Sequence, residues 1–450
     1  MQKKITTRMK LGYGAGEFSS SIFFTITSFW LMNFLTDEVR LSATLAGTAL
    51  LVGKIWDAVI DPLIGHLSDR TRSRLGRRRP YLLFFAIPFG IAFVLMFRNP
   101  GIEVQTGKFI WAMLTYTFFC TVYSFTNIPY NSLLPEMTSD YNERTNIAGF
   151  KQAFAVIGTL LGAGAAMPIM ALFAGRTAGF IGMSAIFGFL AALSLLVTFF
   201  SVREPERTAA EKSGSVFTAL KDAFTNRPFL ILLTTWFLNS TAVAIMQSML
   251  IYYYKYVFMD ESKVTLAMIF LLAFTILTLP LWVFLSKKLG KKLAYIIGMS
   301  LTLLSVMAFA FFADKMGPNP ALILMGLAGI GFASHYVAPW AMAPDTIEYG
   351  YARSGVRREG IYYSIWTFVI ALGGALAGFL VGRGLDMFGY VPDAAQNARS
   401  ILGIRLLIGI LPAIIILAGN LVLAFYPLTR QRYDEVLEKI KKHQEAEENS

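Results

Sequence analysis

Asp57 and Asp61 stand one helical turn apart, with Lys54 a turn before them, inside an apolar run from about Ala43 to Leu67 that is long enough to cross a bilayer. On a helix at about 100° per residue the three side chains fall within about 60° of one another and form one stripe. The two carboxylates are about 6 Å apart along the axis, too close for both to be comfortably ionised in a low-dielectric site without a counter-charge. Either a metal cation binds between them or one carries a proton, and in both cases the occupied site is neutral while the empty one is not. The plainer reading, an internal ion pair of Lys54 with Asp57, leaves Asp61 unexplained. A charge at that depth costs at least about 2.5–3.5 kcal/mol, so carboxylates there mark the path of an ion or solute. Pro62 follows at once and cannot donate to the Ala58 carbonyl, which frees one acceptor.

The elements that must carry this stripe are membrane helices. The chain is 55% hydrophobic and only 15% charged, where a soluble domain averages about 25% charged. At about 20 apolar residues per crossing, twelve segments are expected, at about 12–35, 43–68, 81–97, 109–134, 146–173, 179–201, 229–254, 264–286, 293–313, 320–340, 361–382 and 402–426. The fold class is therefore all-α and polytopic. The basic start, up to Lys10, has the outline of a signal peptide, but the apolar stretch behind it is too long for a cleaved one and reads as segment 1.

A net charge of +12 would suit a nucleic-acid binder only if it formed one basic face. Instead the basic residues occupy alternate loops: Arg70, Arg72, Arg74, Arg77, Arg78 and Arg79 after segment 2, Lys287, Lys288, Lys291 and Lys292 after segment 8, and Arg353, Arg357 and Arg358 after segment 10. The positive-inside rule places these loops and both termini in the cytoplasm, and no nucleic-acid partner is expected. The single cysteine, Cys120 in segment 4, excludes disulfides within the chain and a cysteine-built metal site. His66 and His335 are read at helix ends in ordinary polar roles.

The polar stretch 203–228 divides the chain into six-helix halves, 1–202 and 229–428, with a tail at 429–450. The halves echo each other. Leu75, Gly76, Arg77 and Arg78 correspond to Leu289, Gly290, Lys291 and Lys292, and Pro135, Glu136, Thr138 and Arg144 to Pro344, Asp345, Thr346 and Arg353. Paired six-helix halves fit the parallel-repeat design of transporters, in which the substrate site lies between the halves near mid-membrane. No glycine-rich phosphate loop, nucleophile elbow or zinc-ligand cluster is present, so an enzyme is not expected.

Gly65 and Asp69, one turn apart at a helix end and followed by arginines from Arg70, resemble the signature loop of the major facilitator superfamily. The runs Trp56 to Pro62, Arg72 to Arg77, Asn127 to Tyr130 and Pro344 to Gly350, with Gly355, Arg357, Glu359 and Gly360 and the ending Phe425 to Thr429, are more specific. They resemble the glycoside-pentoside-hexuronide:cation symporter family, which includes the melibiose permease. The resemblance implies the twelve-helix major facilitator fold in two pseudo-symmetric bundles, and cation binding by Asp57, Asp61 and Ser124. It also implies cytoplasmic gating by charge pairs, to which Gly65, Asp69, Arg70, Arg144, Asp345 and Arg353 are assigned.

Solute recognition departs from that permease, which has aspartates where this chain has Ser21 and Asn127, a tryptophan at Asn131 and an arginine at Lys151. With Glu17, which either faces the cavity or sits near the cytoplasmic interface, these are the candidate substrate residues. Lys151 would bind a substrate hydroxyl or carboxylate, or else neutralise Glu17 or an aspartate. The function implied is cation-coupled symport of a glycoside, pentoside or uronide across the bacterial inner membrane by a monomer among lipids, with no cofactor. Leu372, where many relatives carry a lysine, leaves a lysolipid or other amphipathic solute as the alternative. Ile60 replaces an oxygen ligand that a sodium ion would use, so the expected coupling ion is H+, with Na+ at Asp57 and Asp61 as the alternative.

Overall fold

The computed structural model describes residues 5–138, 141–204, 216–355, 359–436 and 438. Within them the fold is built from helices, with no strand. In chain order these are α1 (Thr7–Ile26), α2 (Ala43–Arg70), α3 (Arg79–Met96), α4 (Gln105–Met137), α5 (Tyr141–Met170), α6 (Arg176–Ser201) and α7 (Val216–Thr225). There follow α8 (Arg227–Tyr256), α9 (Val264–Leu289), α10 (Lys291–Met316), α11 (Ala321–Ser354), α12 (Glu359–Met387), α13 (Ala398–Arg405) and α14 (Leu411–Ala424).

Among the described residues eleven helical stretches are long and apolar enough to cross a membrane. α13, a π turn over Leu406–Ile410 and α14 together make one of them. The remaining expected segment is α1, whose Lys10, Glu17, Ser19, Ser20 and Ser21 set it apart in composition. It continues through π turns at Thr27–Leu31 and Phe34–Glu38. At the first of these the Thr27 hydroxyl donates to the carbonyls of Phe23 at 2.8 Å and Phe24 at 3.3 Å. The dividing stretch contains the short α7, while residues 205–215 and those after 438 lie outside the described residues.

The chain forms two compact units. The first comprises Met1–Ala209, Leu250–Tyr252 and Gly378–Ser400; the second comprises Ala210–Met249, Tyr253–Ala377 and Ile401–Ser450. In the first, α1 packs on α5 and α6, α2 on α4, and α3 on α4 and α6. Small residues permit the close approach: a Cβ at Gly16 would lie 2.5 Å from the Tyr130 ring. In the second, α11 packs on α9 and α10, and a Cβ at Gly331 would meet the Gly298 carbonyl at 2.5 Å.

The start of α2, which carries the aspartate stripe, is fixed from two sides. Ser42 caps it by accepting from the Leu45 amide, and Asp386 accepts from the amides of Ala43 and Thr44 at 3.2 and 2.7 Å. A carboxylate on the free amides of a helix N-terminus satisfies donors that have no partner in the helix and opposes the positive end of the dipole. Asp386→Ala should therefore cost about 1–2 kcal/mol and lower the thermal midpoint of the detergent-purified protein. Asp386→Asn, which keeps an acceptor oxygen, should lose less. An unchanged midpoint for the alanine variant would refute the capping role.

Candidate functional site

α2 runs as one helix through Pro62, and its apolar turns present Asp57 inward, where it is only 6% exposed. Both carboxylate oxygens are engaged: Oδ2 takes the Lys54 ammonium at 3.0 Å, and Oδ1 takes the Ser124 hydroxyl of α4 at 3.0 Å. The helices meet closely here. A Cβ at Gly53 would lie 2.3 Å from the Tyr116 ring, and the Trp56 indole donates to Thr121 Oγ1 at 2.8 Å. Asp61 is half-buried one turn on, within the field of Asp57 and Lys54 and facing the Ser124 hydroxyl. The Lys54–Asp57 ion pair and the two-aspartate site are thus parts of one cluster.

A second polar cluster adjoins it through α4. Asn127 Nδ2 donates to Ser20 Oγ at 2.9 Å, and Asn131 Nδ2 donates to Asn127 Oδ1 at 2.8 Å. Lys151 of α5 donates to Asn131 Oδ1 at 2.6 Å, lies 3.3 Å from Glu17 Oε2 of α1, and sits 5.5 Å above the Tyr130 ring. Tyr130 is held in turn by stacking on Tyr13 and by donating to the Tyr13 carbonyl at 2.9 Å. Ser124, Asn127 and Asn131 follow one another at i, i+3 and i+7, so they line one face of α4. That face joins the carboxylate pair to the Lys151 cluster, with Ser124 and Asn127 about 4.5 Å apart along the axis.

Of the sequence-derived candidates, Glu17, Asn127, Asn131 and Lys151 therefore come together, as do Asp57, Asp61 and Ser124. Ser21 is buried against α5, where a Cβ at Gly158 would lie 2.9 Å from its own Cβ. Ser20, which the sequence did not single out, makes the bond to Asn127 instead. One helical position, about 100°, separates the two serines, and only the packing of α1 on α4 decides which faces the asparagine.

The gating candidates are more dispersed. A Cβ at Gly65 would lie 3.9 Å from Ile128 of α4, Arg70 is exposed at the end of α2, and the side chains of Asp69 and Arg144 lie outside the described residues. In the second unit Asp345 takes Lys291 at 2.8 and 2.6 Å, and Arg353 donates to the carbonyls of Thr225 at 2.7 Å and Asp222 at 3.3 Å. Both tie α11 to its own unit. His335 is not at a helix end: α11 continues through Pro339 and Pro344 to Ser354, so the ring lies within the helix, buried, 2.8 Å from the Tyr295 hydroxyl and stacked on Trp236. Among the described residues no group of three or more His, Cys, Asp or Glu side chains is placed to hold a metal. A metal cation at Asp57 and Asp61 would have to draw further oxygens from Ser124 or backbone carbonyls.

The sequence pattern of the family described as MFS/sugar transport protein matches residues 12–430. The chain is 33% identical to the Bacillus subtilis protein named uncharacterized symporter YnaJ, over 97% of this chain and 95% of that protein. It is 31% identical to the putative glycoside/cation symporter YagG of Escherichia coli, over 99% and 97%. Among solved structures it resembles the inward-open xylose transporter XylE of E. coli, with a TM-score of 0.63 at 17% identity over 96% of this chain and 98% of that one. At that identity the likeness concerns the fold.

Proposed function

The chain belongs to the MFS/sugar transport protein family of integral membrane transporters, and on that premise we propose that it carries out cation-coupled symport of a sugar or related polar solute, a glycoside, pentoside or uronide, by alternating access of two six-helix bundles. The observation that carries this reading is the shared face of α4, where Ser124 bonds Asp57 while Asn127 and Asn131 lead to Lys151 and Glu17. A cation arriving at the carboxylate pair changes the charge that Ser124 answers to, and the same helix carries the groups that would grip a hydroxylated solute. The name of the glycoside/cation symporter relative supports the substrate class.

The proposed coupling ion is H+. Ile60 offers no oxygen beside Asp61, and a hard cation needs several oxygens to replace its water, whereas a proton needs one carboxylate. The test is uptake of a panel of glycosides, pentosides and uronides into vesicles, under a sodium gradient at fixed pH or a pH gradient without sodium. Stimulation by the pH gradient is expected. Stimulation by sodium alone would overturn the proton assignment, and concentration of no solute under either gradient would overturn symport itself.

The proposed orientation puts both termini and the loop from Arg70 to Arg79 in the cytoplasm, because six arginines there oppose translocation. A reporter that matures only in the cytoplasm should be active when fused after Ser450. Activity confined to a periplasm-maturing reporter would reverse the topology.

A further inference from the structure

α3 and α6 meet backbone to backbone. A Cβ at Gly90 would lie 3.0 Å from the Gly188 carbonyl oxygen, and one at Gly188 would lie 3.0 Å from that of Gly90. Glycines at a crossing let two membrane helices approach with no side chain between them. This crossing is the floor of an outward-facing groove of about 380 Å³, lined by apolar side chains and the two glycines. Ile87 and Ile91 of α3 and Phe189 of α6 form its walls and are 65%, 54% and 66% exposed. From Leu95 back to Ile87 the groove follows α3 for about 12 Å, close to the half-thickness of about 15 Å of a bilayer's hydrocarbon core. Its length therefore fits an acyl chain belonging to one leaflet.

Arg98 stands at the mouth of the groove. Its amide donates to the Leu95 carbonyl at 3.3 Å, so the chain is still coiled there. Position 98 comes seven residues after Ile91 and four after Val94, which continues their face of the helix. The guanidinium is exposed and has no ion pair among the described residues. Near the start of α4 the Trp111 indole donates to the Arg98 carbonyl at 3.1 Å, and tryptophan at the end of a membrane helix marks headgroup depth.

We propose that this groove is a binding site for one anionic phospholipid, with an acyl chain between Ile87, Ile91 and Phe189 and the headgroup phosphate on Arg98. A guanidinium takes a phosphate through two parallel hydrogen bonds. The unpaired positive charge is neutralised by an anionic headgroup and not by a zwitterionic one. The lipid lies in the leaflet opposite the arginine loop that precedes α3, the outer leaflet in the orientation proposed above. A second copy of the chain is the rival occupant of an exposed apolar face. Two copies meeting here in one membrane would bring their Arg98 side chains to the same depth, where like charges repel and an anion is drawn in.

The test is native mass spectrometry of the detergent-purified full chain titrated with phosphatidylglycerol or phosphatidylethanolamine of the same acyl chains, which reads bound lipid and oligomeric state together. The parent is compared with Arg98→Gln and Ala192→Phe. A Cβ at Gly90 would lie 3.8 Å from the Ala192 Cβ, so a phenylalanine there fills the groove beside the crossing. The parent should bind one phosphatidylglycerol about tenfold or more tightly than phosphatidylethanolamine, the scale of one charged hydrogen bond. Each variant should lose about tenfold or more in phosphatidylglycerol affinity, and Arg98→Gln should also lose the preference between the two lipids. Ala185→Phe, on the same wall, replaces Ala192→Phe if that variant does not fold, and Arg98→Gln decides alone if neither folds. The proposal is overturned if the parent binds no phosphatidylglycerol or binds the two lipids equally. Binding like that of the parent in Arg98→Gln or in the groove variant also overturns it. A parent that is dimeric, and that the groove variant makes monomeric, overturns it in favour of a second copy of the chain.

Discussion

Asp61→Asn is expected to abolish gradient-driven accumulation of solute, bringing the inside-to-outside ratio in vesicles to about one, while expression and thermal stability stay near those of the parent. The half-buried Asp61 is the carboxylate left over once Lys54 and Ser124 have engaged Asp57. An amide cannot change charge, so nothing at that position can follow a cation gradient. Taking a charge out of a membrane helix relieves an insertion cost of about 2.5–3.5 kcal/mol, and a loss of accumulation would therefore not come from failed insertion. Asp57→Asn should abolish accumulation too, but it also strands the buried Lys54 ammonium, and removing one partner of a buried pair costs about 3–5 kcal/mol. Comparing the two variants separates coupling from stability: both lose accumulation, and only Asp57→Asn loses a large part of its thermal stability. Accumulation by Asp61→Asn at the level of the parent would remove that residue from the coupling site.

The difference between these two aspartates shows where the sequence was readable. Their depth and spacing follow from an apolar run and helical periodicity, so a paired carboxylate site on α2 can be deduced without coordinates, as can the helical architecture. The sequence also contains Lys54 on the same stripe, but an ion pair and a cation site look like rival readings at that level. Only the approach of α4, with Ser124 67 residues away from Asp57, shows that both oxygens of Asp57 are engaged, one by Lys54 and one by Ser124. The Ser20 bond to Asn127 spans 107 residues and turns on the rotation of α1, which a helix with polar residues at three successive positions does not specify. Similarly, Asp37 looks like a loop residue beyond an apolar segment, yet it is buried and accepts from Asn33 at 3.1 Å, from Thr36 at 2.9 Å and from Tyr390. The π turns that prolong α1 have no period in the sequence. Long-range contacts account for the bonds of Ser124 to Asp57, Ser20 to Asn127 and Tyr390 to Asp37.

Lys151→Ala should weaken the apparent affinity for solute by roughly 30–150-fold, the loss of a charged hydrogen bond worth about 2–3 kcal/mol, with the response to the cation gradient retained at saturating solute. Lys151 is tied to Asn131 at 2.6 Å and to Glu17 at 3.3 Å, and it lies above Tyr130. It is thus placed either to present its ammonium to a solute hydroxyl or carboxylate or to neutralise Glu17. The double variant Lys151→Ala with Glu17→Gln distinguishes the two. If Lys151 only neutralises Glu17, removing both charges should restore affinity to within a few-fold of the parent, because no uncompensated carboxylate remains. If the ammonium reads the solute, the double variant should stay as weak as Lys151→Ala alone, and Glu17→Gln by itself should cost less than either. Uptake kinetics with the solute identified from the vesicle panel decide the matter, and full restoration in the double variant would remove Lys151 from the solute site.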